Sequence, residues 1–485
     1  MTNPETGRIE AVFAQLRQAL GVREDFPPEV EREAAEAARR DPAADPGRVD
    51  RTAVPLITID PPGSRDLDQA FCLERAEDGG FRLWYAIADV GFFVDRGGAV
   101  EAEAWQRGVT FYAPDRRVPL YPPVLGQDAA SLLPEVARPS VLFRLDLDAR
   151  AEIRADAVER ALVRSRRQLT YTDALEHVRS GGERYRGEEW CESLLLLRPF
   201  GELRRERERD RGGVSLPIVN QHVQKETASR LGYAVEYERP TASEQWNAQM
   251  SLLTGHAAAR RMLAAGVGLL RTMPPPDPHA LERFRRIARA MGFEWPDEVS
   301  YGDFLRWLDL EHPRVGPLLW QARRVGGGAD YTAFDGAAPA VTDHSALAMP
   351  YAHVTAPLRR LADRYVLDLL VELAGGAPPS AAARETLTRL PPVMNETETK
   401  EGKLERKAVD VAEAWMLRGR EGERFRATVL GVRDGKVEVQ IEHPPVRVTV
   451  DKERGDRWLE LGDRVEVRLT GVRLEDGWLD FDLPE

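Results

Sequence analysis

Three aspartates, Asp60, Asp66 and Asp68, fall within nine residues of one another in the stretch PLITIDPPGSRDLDQAF. Their loop also holds Pro61, Pro62 and Gly63, and it follows a run that reads as a buried strand. Carboxylates this close repel one another, so gathering them is costly without a counter-charge. A pair of hard divalent cations would supply it; phosphoryl-transfer sites hold two such ions about 3.5–4 Å apart. Oxygen donors with room for retained water select magnesium, or manganese, over zinc. One metal would activate a water and the other would stabilise the leaving oxygen. A solvated acidic turn has the same composition, because Asp and Gly are common turn residues. Spacing by itself leaves both readings open.

A second chemical segment is YAHVTAPLRRLADRY, residues 351–365. Thr355 suits a helix N-cap and Pro357 the first turn, which predicts a helix carrying Arg359 and Arg360 in that turn. Two guanidinium groups beside free backbone N–H groups at the positive end of a helix form a phosphate clamp. Arg359 would hold the scissile phosphate and stabilise the charge that grows on it. A surface arginine pair engaged in ion pairs accounts for an isolated RR dipeptide equally well. His344 and His353 flank the segment, and a hydrogen-bonded structural role is the expectation for each.

The surrounding elements are those of a mixed α and β domain. Residues 81–90 and 141–148 alternate as strands, the latter with Val141, Phe143, Leu145 and Leu147 on one face. Trp246, Met250, Leu253 and Ala257 form one helical stripe, and Leu281, Phe284, Ile287 and Met291 another. Before them lie a short amphipathic helix over 6–21, with Ile9, Phe13, Leu16 and Leu20 on one side, and a second opened by Pro27 and Pro28. A helical, charged segment covers 395–418. Five short strands follow from Gly422, the pattern of a small antiparallel OB-fold barrel.

Composition narrows the possibilities. A chain of 485 residues with net charge −12 is no general coat for nucleic acid, although a local basic channel remains open to it. No apolar run is long enough for a membrane span, and the first residues carry no secretory pattern. Cys72 and Cys191 stand far apart, so neither a disulfide framework nor a structural zinc is expected, and a cytoplasmic location fits. No phosphate-binding glycine loop, H-E-x-x-H or G-x-S-x-G motif is present.

The two segments together resemble the ribonuclease II / ribonuclease R family. TIDPPGSRDLDQA is similar to that family's TID…D-x-D-D signature, and YAHVTAPLRR to its Y-x-H-x-T-S-P-I-R-R. IADVGFFVD, GVTFYAPDRRVPLYP and RSRRQLTYTDAL lie between them in the expected order. The likeness runs over roughly residues 45–485, and each motif supports the other across about three hundred residues. The resemblance implies a processive 3′→5′ exoribonuclease that acts on single-stranded RNA 3′ ends and releases nucleoside 5′-monophosphates with two magnesium ions. It implies metal binding by Asp60, Asp66 and Asp68 and catalysis by Asp68 and Arg359, while substrate contacts from Arg359 and Arg360 are what the phosphate clamp itself predicts. It further implies base stacking by Tyr112 and a ribose contact from Tyr171.

The fold it implies is α+β. Residues 53–395 would be a large mixed α/β catalytic domain of ribonuclease II type. A helical module over 1–52, helix-turn-helix-like in outline, would precede it, and a helical connection over 396–421 would lead to an OB-fold β-barrel over 422–485. Several positions depart from the pattern. Gln69 stands where the family has a fourth aspartate, Ala356 where it has serine and Leu361 where it has tyrosine. Leu367 and Asp368 replace a His-Arg pair, and WNAQMSLLTG lacks the family's adjacent glutamates. About fifty residues before the catalytic domain are too few for the two cold-shock barrels usual in the family. Two alternatives follow: a catalytically weak RNA-binding protein on the same scaffold, and a single-stranded DNA phosphodiesterase.

Overall fold

The computed structural model describes residues 4–214, 220–226, 232–238, 240–310, 312, 314–376, 378–433, 435–444, 446–451 and 459–484. At its centre a sheet closes on itself. The strands Leu56–Ile59, Gln69–Arg75, Phe81–Ala88 and Ala137–Leu147 lie side by side, and Ile153–Leu169 pairs with both ends of that row. Its 17 residues make this possible. The first part runs antiparallel to Ala137–Leu147, and the last residues run parallel to Leu56–Ile59. Phe81, Leu83, Tyr85 and Ile87 point inward opposite Leu147, Leu145, Phe143 and Val141. Each such buried side chain contributes about 1.5–3 kcal/mol.

Helices cover this sheet. Ala242–Ala265 buries Trp246, Met250, Leu253 and Ala257. Thr241 and Glu244 cap its start reciprocally, and Gly266 ends it in the left-handed conformation. Pro278–Ala290 faces away from the main core. Its Phe284 and Ala288 pack with Trp295, Phe304 and Leu318 in a small cluster of their own.

The N-terminal helices share cores with distant parts of the chain. Pro4–Ala19 buries Ile9, Val12 and Phe13 against Tyr233, Val411 and Trp415. Pro28–Ala37 sends Val30, Ala34 and Ala37 into the main core. A single 37-residue helix, Ala381–Leu417, runs on through 395–396, where the sequence suggested a boundary. The second half of this rod covers most of the segment 396–421, and its last residue, Leu417, lies in the core of the C-terminal sheet. That sheet has the order Arg447–Asp451, Lys436–Ile441, Arg424–Arg433, Arg464–Arg473, Trp478–Asp482. Its two edge strands touch, so the barrel is nearly closed, in keeping with an OB fold.

Candidate active site

Asp60 and Tyr171 reach one cleft because they leave neighbouring parallel strands at the same end. The Asp60 N–H still donates to Leu169 O at 3.0 Å. One residue further on, Thr170 caps the helix Tyr171–Arg179, with Asp173 completing the capping box, and this sets Tyr171 at the first helical position. The other two aspartates flank Leu67, which is fully buried. Leu67 N–H donates to Ser131 Oγ at 2.9 Å, and Leu67 O accepts from Leu132 N–H at 3.0 Å. With Leu67 held in the core, Asp66 and Asp68 face the cleft, a space of about 320 Å³. Asp60, Gln69, Tyr112, Arg117, Asn247 and Arg359 also line it, with Tyr171.

The arginine segment differs from expectation. The helix begins at Leu361, so Arg359 and Arg360 precede it. Thr355 does not cap it; its hydroxyl bonds Ser251 Oγ at 2.8 Å. Buried carboxylates hold the segment instead. Asp363 accepts from the Ala356 N–H at 2.7 Å, and Asp68 accepts from the Leu358 N–H at 2.7 Å and from Arg359 Nε at 3.3 Å. On its other side the chain from Gly108 to Thr110 runs alongside: Thr110 N–H donates to Arg359 O at 3.0 Å and Leu361 N–H to Gly108 O at 2.9 Å. Gly108 has φ +68°, and a Cβ there would stand 2.5 Å from Thr397 Cγ2, so only glycine allows this approach.

Arg359 therefore reaches the cleft and Arg360 does not. Arg360 turns into Asp363, whose side chain is fully buried, with Nη2 to Oδ2 at 2.8 Å. Its expected substrate role is corrected to that of an internal ion pair. Asp363→Ala would strand a buried guanidinium and the Ala356 N–H, a loss of about 3–5 kcal/mol. Urea unfolding should register it; a loss below about 1 kcal/mol would mean that Asp363 does not hold the segment. Neither histidine enters the cleft. His353 Nδ1 bonds the Tyr331 hydroxyl at 2.7 Å, and burial keeps its ring neutral. His344 also titrates low because it is buried.

Burial dominates the electrostatics of the carboxylates. It pushes Asp68 up to about 7 against the pull of Arg359 and the Leu358 N–H. It pushes Asp60 up to about 6, with the charge of Asp66 adding to the rise. Asp66 is paired with Arg117. Gln69 Oε1 accepts from the Tyr85 hydroxyl. Tyr112 is half-exposed in the cleft. Burial pushes the Tyr171 phenol up to about 12, so it remains a neutral donor.

This donor set suits a hard divalent cation. All three acids offer oxygen, and Asp60 Oδ2 is buried without a hydrogen-bond partner. Among the described residues no three acidic, histidine or cysteine side chains converge into a ready cage. Arginines draw off two of the three carboxylates: Arg117 takes Asp66 and Arg359 takes Asp68.

Sequence reasoning passed over Arg117 and Asn247 as cleft residues. Arg117 carries a readable signal, because it stands opposite Tyr112 in the short hairpin Phe111–Tyr112/Arg117–Val118. Asn247 sits one residue after a core tryptophan, and nothing local marks it.

The family model of the RNB domain matches residues 48–375, the span that holds the closed sheet, the three aspartates and the arginine segment. The chain belongs to that family. An RNase II-type exonuclease C-terminal S1 domain matches residues 423–483. Ribonuclease R of Escherichia coli (strain K12) is 26% identical over 519 residues, which cover 99% of this chain and 61% of that protein. The chain thus spans about three fifths of the length of the curated ribonuclease R relatives that it matches over nearly all of its own length. The structure of Mycoplasma genitalium RNase R in complex with ribose methylated single-stranded RNA superposes with a TM-score of 0.88 at 19% identity, covering 98% of this chain and 78% of that one. Yeast Ssd1, described as a pseudonuclease, shares the fold with a TM-score of 0.67 at 17% identity, over 87% of this chain and 53% of that one.

Proposed function

We propose that this protein is a 3′→5′ hydrolytic exoribonuclease that shortens single-stranded RNA ends to nucleoside 5′-monophosphates in the cytoplasm, with magnesium as its metal and manganese as a substitute. The observation that carries this reading is the meeting of Asp60, Asp66 and Asp68 with Arg359 in one cleft, beside two tyrosines. Asp60, Asp66 and Asp68 would hold the metal, which when bound supplies an activated water and offsets charge on the leaving oxygen. Arg359 leans over Asp68 and would bind the scissile phosphate, strengthening its hold as charge accumulates. Tyr112 offers an exposed ring for a base, and Tyr171 a neutral hydroxyl for a ribose.

The test is a 5′-labelled oligoribonucleotide, and its DNA counterpart, incubated with magnesium with and without chelator. Stepwise shortening of RNA alone, stopped by chelator, supports the proposal. Shortening of the DNA would favour the phosphodiesterase. Binding without shortening would favour a nuclease-like RNA-binding protein, a reading to which Gln69 at the signature position lends weight.

The carboxylates also predict a link between metal, pH and stability. An unfolded aspartate titrates near pH 3.9, whereas Asp60 and Asp68 titrate at about 6 and about 7 in the metal-free fold. Between those values the native state holds protons that the unfolded chain has lost. The metal-free protein therefore loses stability as pH rises through this window. A cation that binds the ionised acids reverses the loss, so magnesium should raise Tm more at pH 8 than at pH 5.5. Equal gains at the two pH values would remove Asp60 and Asp68 from the ligand set.

A further inference from the structure

The hairpin Phe111–Tyr112/Arg117–Val118 is anchored more firmly than an exposed two-strand turn needs. Arg17, on the N-terminal helix, is only 2% exposed and is paired with both Asp115 of the hairpin and Glu24. Glu24 in turn pairs with Arg116. Arg107, also buried, donates to Asp25 O at 2.7 Å and to Pro119 O at 3.1 Å. The N-terminal segment thus grips the turn and its flank. Arg117 is the exception in this network: it points into the cleft, about a quarter exposed, and meets Asp66.

We propose that Arg117 is a substrate-contacting residue parked on Asp66 until a divalent cation takes that carboxylate, whereupon its guanidinium turns to the phosphate of the bound nucleotide. This rests on the proposed function, since it gives Asp66 to the metal and the cleft to a nucleotide. Three observations carry it. First, the pair places a fixed cation on one of three clustered acids, where an incoming cation must compete with it. Second, the hairpin backbone is pinned from outside through Asp115, so displacement swings the side chain and leaves the strand in place. Third, Tyr112 and Arg117 are directly opposed on the hairpin. A ring that can take a base and a guanidinium that can take a phosphate then stand on neighbouring strands of one wall of the cleft.

The experiment uses the full chain and reads binding, not turnover. Manganese is titrated calorimetrically into wild type, Arg117→Gln and Arg117→Lys without RNA. Adenosine 5′-monophosphate is then titrated into each at saturating manganese. Loss of the competitor should tighten manganese binding by Arg117→Gln about fivefold, the worth of a partly exposed ion pair. Nucleotide binding should weaken by a similar or larger factor, and Arg117→Lys should fall between the two in both titrations. Melting curves verify that the variants fold. If Arg117→Gln binds manganese no more tightly than wild type, the guanidinium does not compete for Asp66 and the proposal falls. If manganese binds more tightly but the nucleotide is held as well as before, Arg117 only shields Asp66 and its substrate role is overturned. A wild type that degrades no RNA yet gives the expected titrations would sink the proposed function and leave Arg117's role standing.

Discussion

Asp68→Asn should abolish hydrolysis, by at least about a thousandfold, while leaving RNA binding intact. Asp68 is nearly inaccessible, yet its two oxygens do separate work. Oδ1 holds the Leu358 N–H and Oδ2 meets Arg359. An amide oxygen can keep the first contact, so the arginine segment should remain in place and the protein should fold. What the amide cannot supply is the negative charge that binds a cation and balances Arg359. Removing a buried carboxyl whose ionisation is already costly should even raise Tm slightly without metal. The decisive comparison is single-turnover hydrolysis against filter binding in chelator. Hydrolysis within about tenfold of wild type would remove Asp68 from the chemistry, a tenfold rate being only 1.4 kcal/mol.

Arg359→Ala should come next in size, at about 10²–10³ in kcat, with a much smaller change in affinity for long RNA. Arg359 is the one residue of its segment that reaches the cleft while its neighbours Leu358 and Arg360 are held in the protein. Its backbone is fixed on both sides, by Thr110 and by the contacts of Ala356 and Leu358. If Arg359 takes the phosphate as proposed, a backbone so fixed keeps its reorganisation small, and its effect should fall mainly on the transition state. The opposite pattern, normal turnover at saturation with weak binding, would make Arg359 a mere anchor. Loss of Arg359 also frees Asp68 of its ion pair, so the variant should bind manganese more tightly.

Both chemical segments were legible in the sequence because each is local: three acids in nine residues, and two arginines beside a Thr-x-Pro. The conformation of the second was not. Thr355 and Pro357 have the form of a helix start, but Ser251, Asp363 and Asp68 claim the groups that would have capped one. Tertiary hydrogen bonds outweighed a local preference of about 1 kcal/mol. Alternation located the strands at 81–90 and 141–148, although Tyr85–Ala88 and Pro139–Phe143 are buried on both faces and the second strand starts at Ala137. It failed for Ile153–Leu169, whose arginines and glutamate conceal a strand that pairs first with one neighbour and then with another. Arg117 and Arg17 matter through partners 51 and 98 residues away, Asp66 and Asp115. No window of sequence contains such pairs.

The order in which the chain leaves the ribosome gives the N-terminal helix an unusual role. Ile9 and Phe13 bury themselves against Val411 and Trp415, and Glu5 pairs with Arg418 across 413 positions. Contacts this remote form late, because closing so long a loop is rewarded only after the intervening domain has condensed. The helix thus meets its partners only after the roughly four hundred residues between them have been made. Arg17 belongs to that helix, and so the grip on Asp115 depends on where the helix docks. The Tyr112–Arg117 wall of the cleft is therefore tied, through Asp115 and Arg17, to the helix that the rod Ala381–Leu417 receives.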